Sequence, residues 1–190
     1  MGGAGMIRLE QVTKGYDGKC VINRLNWQIG KGERWRITGA SGAGKTTLLR
    51  LLMGVELPDS GYVIGAEQLR FCPVFQEDRL TGHWSALQNV ALVCEEGSRV
   101  RNILSALLSS DALNQPVFTL SGGMRRRAAL ARALAADGDI LILDEPFTGL
   151  DEQTALRAWN TVLRYQEGRT LILVSHGISL PDEEMQTIAL

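Results

Sequence analysis

The residues best placed to do chemistry in this 190-residue chain are Gly39-Ala40-Ser41-Gly42-Ala43-Gly44-Lys45-Thr46, with Thr47 next. The pattern G-x-x-x-x-G-K-[ST] suits the wrapping of a phosphate chain. Its glycines let successive backbone N–H groups approach phosphate oxygens closely. Lys45 reaches the β- and γ-phosphates, and the Thr46 hydroxyl is a ligand for Mg²⁺. A second group is Ile140-Leu141-Ile142-Leu143-Asp144-Glu145, an apolar run ending in two carboxylates. The end of a buried parallel strand is where such a sheet holds its ligand. Asp144 there suits Mg²⁺, directly or through water, and Glu145 suits a water aimed at the γ-phosphate. A third is Leu120-Ser121-Gly122-Gly123-Met124, ahead of an arginine-rich segment. A hydroxyl and glycine N–H groups at a helix start form an anion site, or simply an N-cap. Two phosphate sites and one nucleotide imply that the second site serves a neighbour.

The elements that must position these groups are legible in outline. Arg34-Trp35-Arg36-Ile37-Thr38 alternates as a strand before the glycine loop. Leu48, Leu51 and Leu52 recur at helical spacing after it. The helix therefore aims its positive dipole end at the loop. Ile7 and Leu9, then Leu25, Trp27 and Ile29, alternate as strands. Residues 14–19 and 30–33 read as turns. Residues 62–64 and 71–75 read as short strands. Val100, Ile103, Leu104, Leu107 and Leu108 make a helical stripe that Ser98 is placed to cap. Residues 124–136 read as helix. Ala155, Leu156, Trp159, Val162 and Leu163 form another helical stripe. Residues 140–143 and 171–174 are continuous apolar runs, as in buried parallel strands. Met185, Ile188 and Leu190 suggest a last edge strand. Buried strands alternating with helices predict a parallel sheet covered on both faces. The strand-poor stretch from about 79 to 136 reads as a helical insert.

Composition narrows the function classes. A net charge of −1 exerts no global pull on nucleic acid or anionic membrane. Arg125, Arg126, Arg127 and Arg132 read as a solvated or internally paired helix face. The cysteines Cys20, Cys72 and Cys94 form no C-x-x-C pair and are expected to be small buried residues in a reducing compartment. No apolar run approaches the roughly 18 residues that cross a bilayer. The glycine-rich start has neither a charged nor an apolar leader region, so it is not expected to be a signal peptide.

In order along the chain, these motifs resemble the ATP-binding cassette (ABC) transporter ATPases. Tyr16 matches the aromatic that stacks on adenine. Residues 39–47 match the P-loop, and Gln76 matches the Q-loop glutamine. Leu120, Ser121, Gly122 and Gly123 match the signature. Asp144 and Glu145 match Walker B, Gly149-Leu150-Asp151 matches the D-loop, and His176 matches the switch histidine. The resemblance implies an α/β fold: a P-loop NTPase core with a mostly parallel sheet, an N-terminal antiparallel β subdomain and a compact helical insert. It implies one ATPase domain over residues 1–190; as a departure from the family, the 14 residues after His176 lead to the expectation of no C-terminal regulatory domain and none of the family's extra C-terminal helices. ATP and Mg²⁺ are the implied cofactors. Lys45, Gln76, Glu145 and His176 are the implied catalytic residues. Thr46, Gln76 and Asp144 are the implied metal site. Tyr16, residues 39–47, Ser121, Gly122, Gly123 and Asp151 are the implied nucleotide contacts, shared across a head-to-tail homodimer or heterodimer. Membrane permease subunits are expected to dock near the Q-loop and insert, at the cytoplasmic face of the cell membrane, and nucleic acid is not an expected partner. Residues 75–80, with Trp84, Asn89 and Val90, resemble importer ATPases for oxyanions and sulfonates. The departures are Arg126, where the family commonly has glutamine, and Trp84, one place later than in that importer pattern.

Other readings stay open on sequence alone. A small P-loop kinase has this length, but it has no use for the signature, the D-loop or His176. A cassette ATPase of DNA repair or translation would carry a coiled-coil insert, or paired cassettes with a basic linker. A catalytically dead nucleotide module is opposed by Glu145 and His176.

Overall fold

The computed structural model describes residues 6–176, 180–181 and 184–190. The glycine-rich start, expected not to be a signal peptide, lies outside the described residues. The chain opens with a long antiparallel hairpin, β1 (Ile7–Tyr16) and β2 (Lys19–Ile29). The turn expected over 14–19 is reduced to Asp17 and Gly18, both at positive φ (49° and 77°). A two-residue turn of that hand matches the twist of paired strands, so the ladder runs to Tyr16↔Lys19. The strand β4 (Ser60–Ile64) lies antiparallel on the other edge of β1, giving a three-stranded sheet.

The second sheet is parallel and five-stranded. Its order is β5 (Phe71–Val74), β6 (Ile140–Asp144), β7 (Thr170–Val174), β3 (Arg34–Thr38) and β8 (Met185–Ala189). Every residue of β6 and β7 is buried, which is why both read as unbroken apolar runs. The expected last strand is present, at the edge beside β3.

One face of this sheet packs on helix α1 (Lys45–Leu52) and the antiparallel sheet, around Ile37, Leu48, Leu52 and Ile142. The other face packs on α2 (Ala86–Ala91), α3 (Gly97–Leu107), α4 (Gly122–Ala135) and α5 (Glu152–Tyr165), around Leu143, Phe147, Trp159 and Leu173. Three of these helices, α2, α3 and α4, lie between β5 and β6, where the insert was expected.

Two helix starts differ from the sequence reading. The α3 helix starts at Gly97 with Glu96 at its N-cap, and Ser98 instead donates its hydroxyl to the Glu96 carboxylate at 2.8 Å. The α4 helix starts two residues earlier than expected, because Ser121 caps it by accepting from the Met124 amide at 3.2 Å. The cysteines differ from one another. Cys72 is buried, and burial pushes its thiol up, whereas Cys20 is exposed on the outer strand of the hairpin.

Arg169 holds the ends of two helices together. Its guanidinium donates to the carbonyls of Leu134 and Ala136, at the end of α4, and of Tyr165 and Gln166, at the end of α5, at 2.5–3.1 Å. Cations favour helix C-termini because the last carbonyls lack intrahelical partners. Arg169→Ala leaves those carbonyls unpaired in a partly buried pocket. The expected cost is about 2–4 kcal/mol, from the loss of several charge-assisted bonds. It appears as a lower urea midpoint with an unchanged slope.

Candidate functional site

The glycine loop joins β3 to α1. Gly44, at the N-cap of α1, has φ 97°, and a Cβ there would lie 2.5 Å from Val21 Cγ1. Glycine is required at this position by both conformation and space. The loop wraps one wall of an open cleft of about 500 Å³. The cleft is lined by Tyr16, Val21, Gly39, Ala40, Ser41, Gly42, Gly44, Lys45, Thr46, Thr47, Gln76, Asp144, Glu145, Val174 and His176. A cleft of this size matches a nucleotide-sized ligand.

Lys45 is buried, and its Nζ donates to the carbonyls of Gly39 (2.9 Å) and Ala40 (2.8 Å). The ammonium therefore sits inside the loop. The Thr46 hydroxyl donates to Asp144 Oδ2 at 3.0 Å, joining the start of α1 to the end of β6. Burial pushes the Asp144 carboxyl above the usual carboxylate range, and the Thr46 hydroxyl opposes this. A cation placed here would be held by one hydroxyl and one carboxylate. Among the described residues no group of three or more His, Cys, Asp or Glu could hold a metal ion. Such a sparse oxygen set fits Mg²⁺ carried in with phosphate and water.

Glu145 adopts φ 50°, a left-handed conformation uncommon for a residue with a side chain. Its amide donates to the Val174 carbonyl at 2.8 Å, and its carboxylate accepts from the Thr148 hydroxyl at 3.2 Å. His176 Nε2 lies 3.7 Å from Glu145 Oε1. Strain of this kind persists where surrounding bonds over-determine it.

Tyr16 is exposed and is held by its hydroxyl, which donates to the Glu56 carboxylate. Glu56 also pairs with Arg50 at 3.1 Å, and Lys14 lies 5.5 Å from the centre of the Tyr16 ring.

Ala43 belongs to the loop but does not line the cleft, and four more of the sequence-predicted residues are elsewhere. Ser121, Gly122 and Gly123 form the start of α4 and do not line this cleft. Asp151 does not line it either. It caps α5, accepting from the Thr154 amide (2.9 Å) and hydroxyl (2.7 Å), and these bonds hold its carboxyl below the usual range. The sequence reading missed Glu56 as the anchor of Tyr16, Thr148 as a support of Glu145, and Arg126 as a contact to residues 75 and 76. Each bond joins groups with no shared motif, and Arg126 bonds to backbone, so no local pattern marks it.

A family model described as "ABC transporter" matches residues 22–148. The chain is 37% identical over 178 residues to the aliphatic sulfonates import ATP-binding protein SsuB of Granulibacter bethesdensis, covering 91% of this chain and 74% of that protein. It is 31% identical over 195 residues to the Nod factor export ATP-binding protein I of Ralstonia nicotianae, covering 93% of this chain but only 61% of that protein's length. Its fold matches the dimeric ATP-binding cassette MJ0796 in a post-hydrolysis state bound to ADP and Pi, with a TM-score of 0.78 and 29% identity, covering 90% and 88% of the two chains. Together with a glycine loop, strand-end acids and helical insert in the expected places, these matches establish that the chain belongs to the ABC transporter family.

Proposed function

We propose that this chain binds and hydrolyses ATP, and that it powers a membrane transporter, with import of a small solute as the favoured direction. The observation that carries the reading is one cleft walled by Lys45, Thr46, Gln76, Asp144, Glu145 and His176. Residues 1–190 read as one ATPase domain with its helical insert. Lys45 and the loop amides hold the phosphates. Thr46 and Asp144, with Gln76 beside them, hold Mg²⁺, which when bound neutralises charge on the β- and γ-phosphates. Glu145 orients and polarises the attacking water, and His176 supports the γ-phosphate side. Such catalysis is mostly positioning and electrostatic stabilisation, so a rigid Glu145 backbone suits it.

Tyr16 offers a π-face to adenine. Its hydroxyl is engaged by Glu56, so the ring is braced and contributes stacking rather than reading of base edges. Tyr16→Ala is expected to weaken ATP binding by about 1–3 kcal/mol, as for other base-stacking aromatics. Isothermal titration checks this, and an unchanged dissociation constant removes the role.

Ser121, Gly122, Gly123 and Asp151 lie off the cleft of their own chain, which favours their serving the cleft of a second ATPase copy, identical or related. The MJ0796 cassette with ADP and Pi is dimeric, which supports that pairing. Permease docking fits the surface following Gln76. There Trp84 and Phe118 are exposed, while buried Asn89 braces the backbone through Thr81, Trp84 and Ser85. Among the described residues no helix is long and apolar enough to cross a membrane, so a permease would supply the attachment at the cytoplasmic face. The test is ATP hydrolysis with permease-containing membranes against hydrolysis with nucleic acid. Stimulation by the membranes alone is expected, and stimulation by nucleic acid alone would overturn the transport reading.

A further inference from the structure

The segment that carries Gln76 is held from outside, by arginines of the helix that Ser121 caps. Arg126 is buried, 8% exposed, on α4. One of its terminal nitrogens donates to the Phe75 carbonyl at 2.6 Å, and the other to the Gln76 carbonyl at 2.5 Å. The Asp78 carboxylate lies 3.2 Å from the same guanidinium and supplies its counter-charge. Six residues further along α4, Arg132 donates to the carbonyls of Asp78 (3.2 Å) and Arg79 (2.7 Å). Four carbonyls within residues 75–79 are thus held by two guanidiniums of one helix. The segment is not relaxed in this position. Arg79 adopts φ 49°, and its guanidinium stacks on the Phe75 ring, 3.7 Å from the centre. A non-glycine residue in that region needs surroundings that hold it there.

We propose that Arg126 is a positioning residue: its guanidinium, seconded by Arg132, clasps the backbone of residues 75–79 to α4 and so fixes the approach of Gln76 to Asp144. The inference rests on the reading of Gln76 as part of the nucleotide site. It adds a rigid link inside one chain between the start of α4 and the cleft. A guanidinium fits the task because its planar fork meets two carbonyls at once, which a lysine ammonium on a flexible stem does not.

Hydrogen exchange and turnover of the purified chain test the link. In Arg126→Ala the amides of residues 76–80 are expected to exchange about tenfold faster or more, with the β6 and β7 amides unchanged. Turnover falls by about tenfold while the ATP dissociation constant stays within about twofold. In a Gln76→Ala background, Arg126→Ala causes no further loss of turnover, because the group it positions is gone. A folded Arg126→Ala protein with unchanged exchange and turnover overturns the proposal. Losses that multiply in the double variant overturn it too, since they mark a general packing role. If Arg126→Ala does not fold, Arg132→Ala releases the Asp78 and Arg79 carbonyls and is judged by the same results. Gln76→Ala with unchanged turnover removes the reading of Gln76 instead, and the exchange rates then decide on the clasp alone.

Discussion

Replacing Glu145 by Gln should leave ATP bound and nearly stop its hydrolysis. The substitution keeps the side chain's shape and its place after β6, but removes the negative charge proposed to polarise water. Loss of a positioned base typically lowers rate by about 10²–10⁴-fold. Binding should persist, because Lys45, Thr46 and Asp144, which line the same cleft, are untouched. The bound nucleotide should also raise the melting temperature, since a ligand of the folded state stabilises it by mass action. Phosphate release and nucleotide binding, measured on the same preparation, separate the two effects. A Glu145→Gln protein that turns over at the parental rate takes Glu145 out of the chemistry.

Lys45→Ala should act on the other limb, abolishing tight binding. Lys45 is the loop's buried cation, held by the Gly39 and Ala40 carbonyls of the loop it serves. Its removal would take away the charge proposed to face the β- and γ-phosphates. Charge-assisted bonds to such oxygens are worth roughly 1.5–3 kcal/mol each, so a weakening of about 10- to 100-fold or more is expected. The fold should survive, because the apolar contacts of Leu48 and Leu52 anchor α1 independently. Titration with ATP and an unfolding curve check both halves. Parental affinity would refute the assignment of the loop.

The two limbs were legible in the sequence for different physical reasons. The glycine loop is local, and its residue types and spacing are the mechanism itself. The acids were legible because β6 is buried on both faces, so the change from Leu143 to Asp144 marks the strand's exit. Helix starts were less so. Ser98 reads as a cap from its side chain alone, yet the chain enters α3 at Glu96, where the backbone turns. The hairpin turn was read too long: the pair Asp17-Gly18 is by itself a two-residue turn signal, and the residues on either side of it belong to the ladder. Nothing local foretold the contacts between distant segments: Tyr16 with Glu56, Arg169 with two helix ends, and Arg126 with the backbone beyond β5. These pair side chains with carbonyls or with carboxylates far along the chain. The polar caps were half legible. Ser121 and Asp151 are N-caps in the fold, and that local role coexists with the proposed role toward a second copy.

A complete site is proposed to need the cleft of one chain and the start of α4 of another. The rate of ATP hydrolysis per chain, measured across a wide range of protein concentration, tests it most directly. The expected per-chain rate climbs with concentration and then levels off, and a Ser121→Arg variant stays at the low-concentration rate while still binding ATP. A per-chain rate that is independent of concentration, and that Ser121→Arg leaves unchanged, would contradict it.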